Sequence, residues 1–364
     1  MGQQLAQLEE QGLALPLSFV GGVRAFGPVT DKESSHGWCM PKGLVWGVSC
    51  MQGWRDRMED AHLTVPNLPG QSDVAMFGVM DGHGGEQVAR FCERHLPAET
   101  ARSCGQDVVE GLVTAFHQMD QMLADPRNLA ELRSLSLDPW AKVTQDQQAV
   151  HPDHVGCTAT VCCIRNDTIV VANAGDSRAV LSRGGQAIDM SEDHKPNLPR
   201  EEARIKRAGG SVFEQRVGQR SVYRVNGDLS LSRAIGDLRY KKNTSLPPQD
   251  QIVCCNPDIR IFRRQPDDEF MVIACDGIWD VLTSQEVVNF VRPQLSGFLD
   301  GTEKLTTIAE GILDRCLSPD VQKTCGIGGD NMTLMVVAFA RPILPMPSQG
   351  NSSRQQPPNM MPGW

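Results

Sequence analysis

The stretch Ala75-Met76-Phe77-Gly78-Val79-Met80-Asp81-Gly82-His83-Gly84-Gly85 decides how this chain folds. An uncharged apolar run closed by a glycine-rich turn reads as a buried strand that ends on Asp81. Phe270-Met271-Val272-Ile273-Ala274-Cys275 repeats the arrangement and ends on Asp276. Three more acidic motifs, Arg55-Asp56-Arg57-Met58-Glu59-Asp60, Gly175-Asp176-Ser177-Arg178 and Asp330-Asn331, punctuate the chain, and the second strand runs on into Asp276-Gly277-Ile278-Trp279-Asp280. A carboxylate at a strand end is costly to desolvate alone. Several converging on one rim therefore call for a cation that neutralises them, and a hard, oxygen-loving one.

Outward from this stretch, residues 86–95 place Val88, Ala89, Phe91 and Cys92 on one helical face, and residues 108–123 have similar spacing. Strands are predicted over residues 159–164, 168–172, 178–182 and 332–339, joined by turns such as Arg165-Asn166-Asp167 and Arg183-Gly184-Gly185. Connections this short favour antiparallel pairing, because a parallel crossover needs a dozen or more residues. The expectation is an antiparallel sheet core with helices outside.

With 364 residues, 40% of them hydrophobic, the chain can bury a substantial core. Its net charge of -9 argues against nucleic acid as the main partner, since phosphate backbones are bound by excess Lys and Arg. The 12 cysteines are scattered and form no C-x-x-C pair, which points to reduced thiols and a cytoplasmic or nuclear setting. The apolar stretch 12–23 follows Glu9 and Glu10, lacks a basic flank and is too short for a bilayer, so neither a secretion signal nor a transmembrane span is expected. Residues 1–43 lack sustained periodicity and read as an N-terminal extension ahead of a domain spanning 44–341. Residues 342–364, rich in Pro, Ser, Gln, Asn and Met, read as a disordered tail carrying one Pro-x-x-Pro, from Pro342 to Pro345.

Eight motifs in order, Gly53-Trp54-Arg55 with Met58-Glu59-Asp60-Ala61-His62, Asp81-Gly82-His83-Gly84-Gly85, Gly156-Cys157-Thr158-Ala159, Ala174-Gly175-Asp176-Ser177-Arg178, His194-Lys195-Pro196, Leu231-Ser232-Arg233-Ala234-Ile235-Gly236-Asp237, Cys275-Asp276-Gly277-Ile278-Trp279-Asp280 and Gly329-Asp330-Asn331, carry a resemblance. Together the chain closely resembles the type 2C protein phosphatases, the metal-dependent serine/threonine phosphatases, from about residue 45 to 340. Each motif alone is weak: Asp-Gly-His is usually a turn and Gly-Asp-Ser-Arg usually a loop. The resemblance implies an α+β fold, a central antiparallel β-sandwich flanked by α-helices in α/β/β/α layers, with a dinuclear metal site at one end. It also implies a flap subdomain at about 196–232 within the phosphatase catalytic domain.

The activity so implied is hydrolysis of phosphoserine and phosphothreonine in phosphorylated protein substrates, by direct attack of a water bridging two Mg2+ or Mn2+ ions. Asp81 would bridge both ions, Glu59 and the Gly82 carbonyl would serve one, Asp276 and Asp330 the other, and Asp60 would act through a bound water. Few protein ligands suit Mg2+, which keeps several waters. Asp176 and Asp280, with Asp276, resemble a weaker third metal site, or else cap turns. His83 would protonate the departing oxygen, a task for an imidazole titrating near neutrality. Arg55 would offer a forked guanidinium to the phosphate, or else form a structural salt bridge. His62 would tune the chemistry from behind the site, or be a structural histidine. Glycines 82, 84 and 85 would let the backbone turn tightly beside a metal.

Two alternatives stand beside this reading. A pseudophosphatase scaffold should have lost a core ligand, whereas Glu59, Asp81, Asp276 and Asp330 are all present. Another metal-dependent phosphoesterase such as a nuclease would need a basic stripe outside the flap. Within the flap, residues 199–210 form a helix with Pro at its start and Gly at its end, whose positive charge would attract phosphopeptides or simply be solvated. A monomer is expected. Met1-Gly2 opens like an N-myristoylation signal, but Ala6 stands where the pattern asks for Ser or Thr, and residues 3–23 hold no Lys or Arg to reinforce a membrane anchor at Gly2.

Overall fold

A computed structural model describes residues 27–105, 107–136, 151–218, 220–295 and 304–340. The expectations for Gly2 and for the tail from residue 342 lie outside the described residues.

Val74–Met80 is a strand in which every residue is buried. It pairs antiparallel on both sides, Val79 opposite His62 on one neighbour and opposite Thr160 on the other. Its side chains alternate between two apolar layers, as the pleat requires. Val74, Met76 and Met80 face one cluster, with Phe91 and Phe116 from the helices Gln87–Cys104 and Val108–Ala124. Ala75, Phe77 and Val79 face another, shared with the second sheet. A strand covered on both faces reads as a continuous apolar run, which is why it was visible in the sequence.

Five antiparallel strands make this first sheet, in the order Asp258–Arg263, Thr168–Ala174, Ala159–Arg165, Val74–Met80, Ala61–Val65. The second has six, in the order Val29–Cys39, Leu44–Gly53, Met332–Phe339, Asp268–Ala274, Arg178–Arg183, Gln186–Asp189. Met335 and Val337 point into the layer between the sheets, whereas Leu334 and Val336 point outward to the helices Ser284–Val291 and Leu305–Cys316. The result is the expected α/β/β/α stack. Trp46 and Phe77 meet edge to face across the central layer, centroids 5.3 Å apart, and truncating a ring such as Phe77 to Ala should cost about 3–5 kcal/mol.

One strand forms ahead of residue 44, in the stretch without sustained apolar periodicity. Val29–Cys39 is an edge strand, paired with Leu44–Gly53 from Glu33 opposite Cys50 to Cys39 opposite Leu44. Most of its side chains are exposed or half-buried, so it carries no apolar signature. Main-chain bonds hold it, aided by Lys32 to Asp314 at 2.6 Å and Ser34 to Glu310 at 2.6 Å.

The flap region contains the helix Pro199–Arg207 and a hairpin of Val212–Val217 with Arg220–Val225, over a small core that includes Ile205, Val225 and Tyr240. Here the sequence reading needs correction. Arg204 is buried, 2.9 Å from Glu201, and it donates to the Ser232 carbonyl. Lys206 pairs with Glu202 at 2.6 Å and Arg200 with Asp258 at 2.6 Å. Much of the helix's positive charge is neutralised within the fold, so it is no open phosphopeptide magnet.

Candidate active site

The acidic residues gather where strands of both sheets end. Asp81 follows Val74–Met80, Asp176 lies just beyond Thr168–Ala174, Asp276 opens a short helix after Asp268–Ala274, and Asp330 precedes Met332–Phe339. Glu59 and Asp60 lead into Ala61–Val65. A cleft of about 400 Å³ brings together Arg55, Glu59, Asp81, His83, Asp276 and Asp330, with Asp176 and the Gly82 backbone also in its wall. Carboxylate oxygens of Asp81, Asp176 and Asp276 lie within 4.8 Å of one another. Gly82 packs so tightly that a Cβ there would stand 2.2 Å from the Glu59 carbonyl oxygen, and this close approach sets two backbones of the cleft side by side.

Electrostatics say that this cluster is incomplete as protein alone. Burial pushes the Asp81 and Asp276 carboxyls well above the usual range, and neighbouring carboxylates push them further. Asp60, fully enclosed, is pushed up to about 7 chiefly by burial, although Thr333 donates to it at 2.7 Å. Its other oxygen, Oδ1, finds no hydrogen-bond partner among the described residues. Glu59 is raised as well, again chiefly by burial. A divalent cation removes these penalties together, and the Asp81, Asp176 and Asp276 donors are all oxygen, as Mg2+ or Mn2+ prefers. A second grouping, Asp60, Asp81 and Cys275, includes a thiol. That thiol already accepts from the Thr333 amide at 3.1 Å. The residues therefore fit a hard divalent ion.

Two cations border the acids. Arg55 donates to Asp330 at 2.5 Å. Burial opposes its charge, but Asp330, Asp276 and Asp81 outweigh burial and raise it further. Lys195 donates to Asp176. Burial opposes the ammonium too, and Asp176 and Asp276 more than compensate. His83 Nε2 stands 2.6 Å from Asp237 Oδ2, and although burial works against its charge, Asp237 raises its pKa.

Not every expected residue meets the cleft. Asp280 is exposed, outside the cleft lining, and its near partner is Arg220 of the hairpin at 3.4 Å. His62 sits on Ala61–Val65 behind the acids, its Nδ1 3.5 Å from Cys50 Sγ, and burial lowers its pKa. Conversely, sequence reasoning quoted Asn331, Lys195 and Asp237 within motifs without giving them work. Asn331 Oδ1 accepts from the Glu59 amide at 2.9 Å while its amide donates to the carbonyls of Gln52 at 2.8 Å and Arg57 at 2.9 Å. One side chain thus ties the Arg55–Glu59 loop to Asp330. Their position inside recurring motifs was the available signal.

Residues 45–325 match the family described as Protein phosphatase 2C. The chain belongs to the protein phosphatase 2C family. It is 40% identical over 354 residues to "Probable protein phosphatase 2C 11" of Oryza sativa subsp. japonica, covering 88% of this chain and 92% of that one. It is 43% identical over 320 residues to "Protein phosphatase 2C homolog 2" of Schizosaccharomyces pombe, covering 86% and 77%. Among solved structures, a Toxoplasma gondii phosphatase superposes with a TM-score of 0.63 at 24% identity, covering 85% of this chain and 96% of that one. A C. elegans sex determining protein superposes with a TM-score of 0.62 at 21% identity, covering 85% and 67%. These two bear on the fold alone. Family membership makes this protein an enzyme of the protein-serine/threonine phosphatase class, and the family is metal-dependent. Among the described residues, no helix is long and apolar enough to cross a membrane.

Proposed function

We propose that this cleft hydrolyses phosphoserine and phosphothreonine in proteins with Mg2+ or Mn2+, two core ions and a third more weakly held. The carrying observation is that Asp81, Asp176 and Asp276 offer oxygens within 4.8 Å of one another in the same cleft as His83 and Arg55. Asp81 would touch both core ions, with Glu59 and the Gly82 carbonyl on one side and Asp276 and Asp330 on the other; Asp60 would hold a water. When bound, the ions supply an acidified water nucleophile and offset phosphate charge.

The chain's own groups do the rest. Arg55, charged and forked, orients phosphate oxygens from the cleft wall. His83, whose pKa Asp237 raises against burial, gives a proton to the departing seryl or threonyl oxygen. Asp176, with Asp276, would hold the third ion, which must share Asp176 with Lys195.

A phosphopeptide hydrolysis assay with and without added Mn2+ or Mg2+ tests this reading. Phosphate release that needs either ion and stops with chelator is expected. A folded protein that releases none with either ion would be a scaffold.

A further inference from the structure

The turn Ile235-Gly236-Asp237 is buried and tied down on several sides. Asp237 is 1% exposed and has a φ of 51°, a left-handed conformation rarely adopted by a residue with a Cβ. Three backbone amides hold it there, two through carbonyls and one through a carboxylate. The Asp237 amide donates to the Val155 carbonyl at 3.0 Å, the Leu238 amide to the Pro152 carbonyl at 2.9 Å, and the Gly236 amide to Asp120 Oδ1 at 2.8 Å. Asp120 also accepts from Lys241 Nζ at 2.5 Å, and Lys241 donates again to the Ala234 carbonyl at 2.7 Å. The pair therefore clamps the turn before and after Asp237.

This construction delivers one contact into the cleft, Asp237 Oδ2 to His83 Nε2 at 2.6 Å. Space for it comes from Gly156, which pairs with His83 on one side and Gly236 on the other. A Cβ on Gly156 would lie 2.3 Å from Asp237 Oδ2 and 2.7 Å from His83 Nε2. Nothing in the proposed metal chemistry needs a carboxylate at this spot, since its contact is with the imidazole.

We propose that Asp237 is a positioning residue that grips His83 through Nε2, so that Nδ1 is the nitrogen that protonates the leaving oxygen. This rests on the reading of His83 as proton donor. As the P–O bond breaks, its electron pair stays on the seryl or threonyl oxygen, which takes the Nδ1 proton. Water gives its oxygen to phosphorus and a proton to solvent, and His83 is reprotonated from solvent. The tautomer left after transfer, with its proton on Nε2, is the one Asp237 holds by hydrogen bond.

The test compares Asp237→Asn, His83→Gln and the double variant on a phosphoserine peptide and on p-nitrophenyl phosphate, whose leaving group needs little protonation. Asp237→Asn should lower kcat on the peptide by roughly 10-fold to 10²-fold, with much smaller loss on the aryl ester and KM little changed. The double variant should be no slower than His83→Gln alone. Peptide turnover by Asp237→Asn within about twofold of wild type, equal losses on both substrates, or a double variant slower by the product of the two losses would each overturn the proposal. Should Asp237→Asn fail to fold by circular dichroism, Asp237→Glu, which keeps the charge but displaces it by one methylene, is held to the same outcomes. If His83→Gln itself loses equally on both substrates, the proton-donor reading of His83 falls first, separately from Asp237.

Discussion

Arg55 and Asp330 form an ion pair at 2.5 Å, so the guanidinium proposed to take the phosphate and a carboxylate proposed to hold a cation are one hydrogen-bonded unit. Arg55→Lys keeps the charge but loses the fork that can bond acid and phosphate at once. We expect kcat/KM to drop roughly 10-fold to 10²-fold, mostly through KM. Steady-state kinetics on a phosphopeptide check this, and unchanged constants would return Arg55 to a structural role.

Asp81→Asn should separate stability from activity. Without metal, Asp81 is half-buried and faces the carboxylates of Asp276 and Asp60, so neutralising it relieves repulsion and raises the melting temperature of the metal-free protein. The same change should remove most of the stabilisation by Mn2+ and lower activity by about 10²-fold or more. Thermal melts with and without Mn2+ give the first two results. A metal-free variant less stable than wild type would contradict the electrostatic account.

The acidic cluster also fixes how stability responds to pH. Asp60 moves from an ordinary 3.8 up to about 7 in the fold, and a raised carboxyl stabilises below its unfolded value and loses that contribution as pH rises through its folded value. Asp81 and Asp276 shift in the same direction. Metal-free protein should therefore melt at lower temperature as pH rises from about 5 to about 8, and saturating Mn2+ should flatten or reverse the trend. A rising profile without metal would refute it.

Asp176 is shared between Lys195 and the proposed third ion. Asp176→Ala should lower kcat by roughly 10-fold or more while calorimetry still registers the tighter Mn2+ sites. Loss of all Mn2+ binding would place Asp176 in the core site instead.

Arg204 offers a contrast within the flap. Its pairing with Glu201 is buried, so Arg204→Glu should destabilise the fold by about 3–5 kcal/mol. Reversing the exposed Lys206 should change stability little. Urea melts of both variants distinguish them, and equal effects would show that Arg204 is no anchor.

Much of this was legible because the informative strands are unusual. Val74–Met80 and Met332–Phe339 are buried on both faces, and each carries its acid at an end. The edge strand Val29–Cys39 was missed since backbone pairing, not apolar pattern, holds it. Asp237 received no role because its partner lies 154 residues away, a distance no local spacing reveals. Arg204 was misjudged for a related reason: a charge count along a helix does not say which side chain turns inward to meet Glu201.

The layer between the two sheets has a bearing on ion affinity. Asp81 comes from one sheet and Asp276 from the other, so their separation records how the sheets are aligned. A slide by one residue amounts to about 3.3 Å, a large part of the 4.8 Å within which the Asp81, Asp176 and Asp276 oxygens lie. Ala75, Phe77, Met335 and Val337 prevent that slide from within the shared layer. The core thus works as a calibrated spacer, and small misfits there would first detune the grip on the ions while the fold still stood.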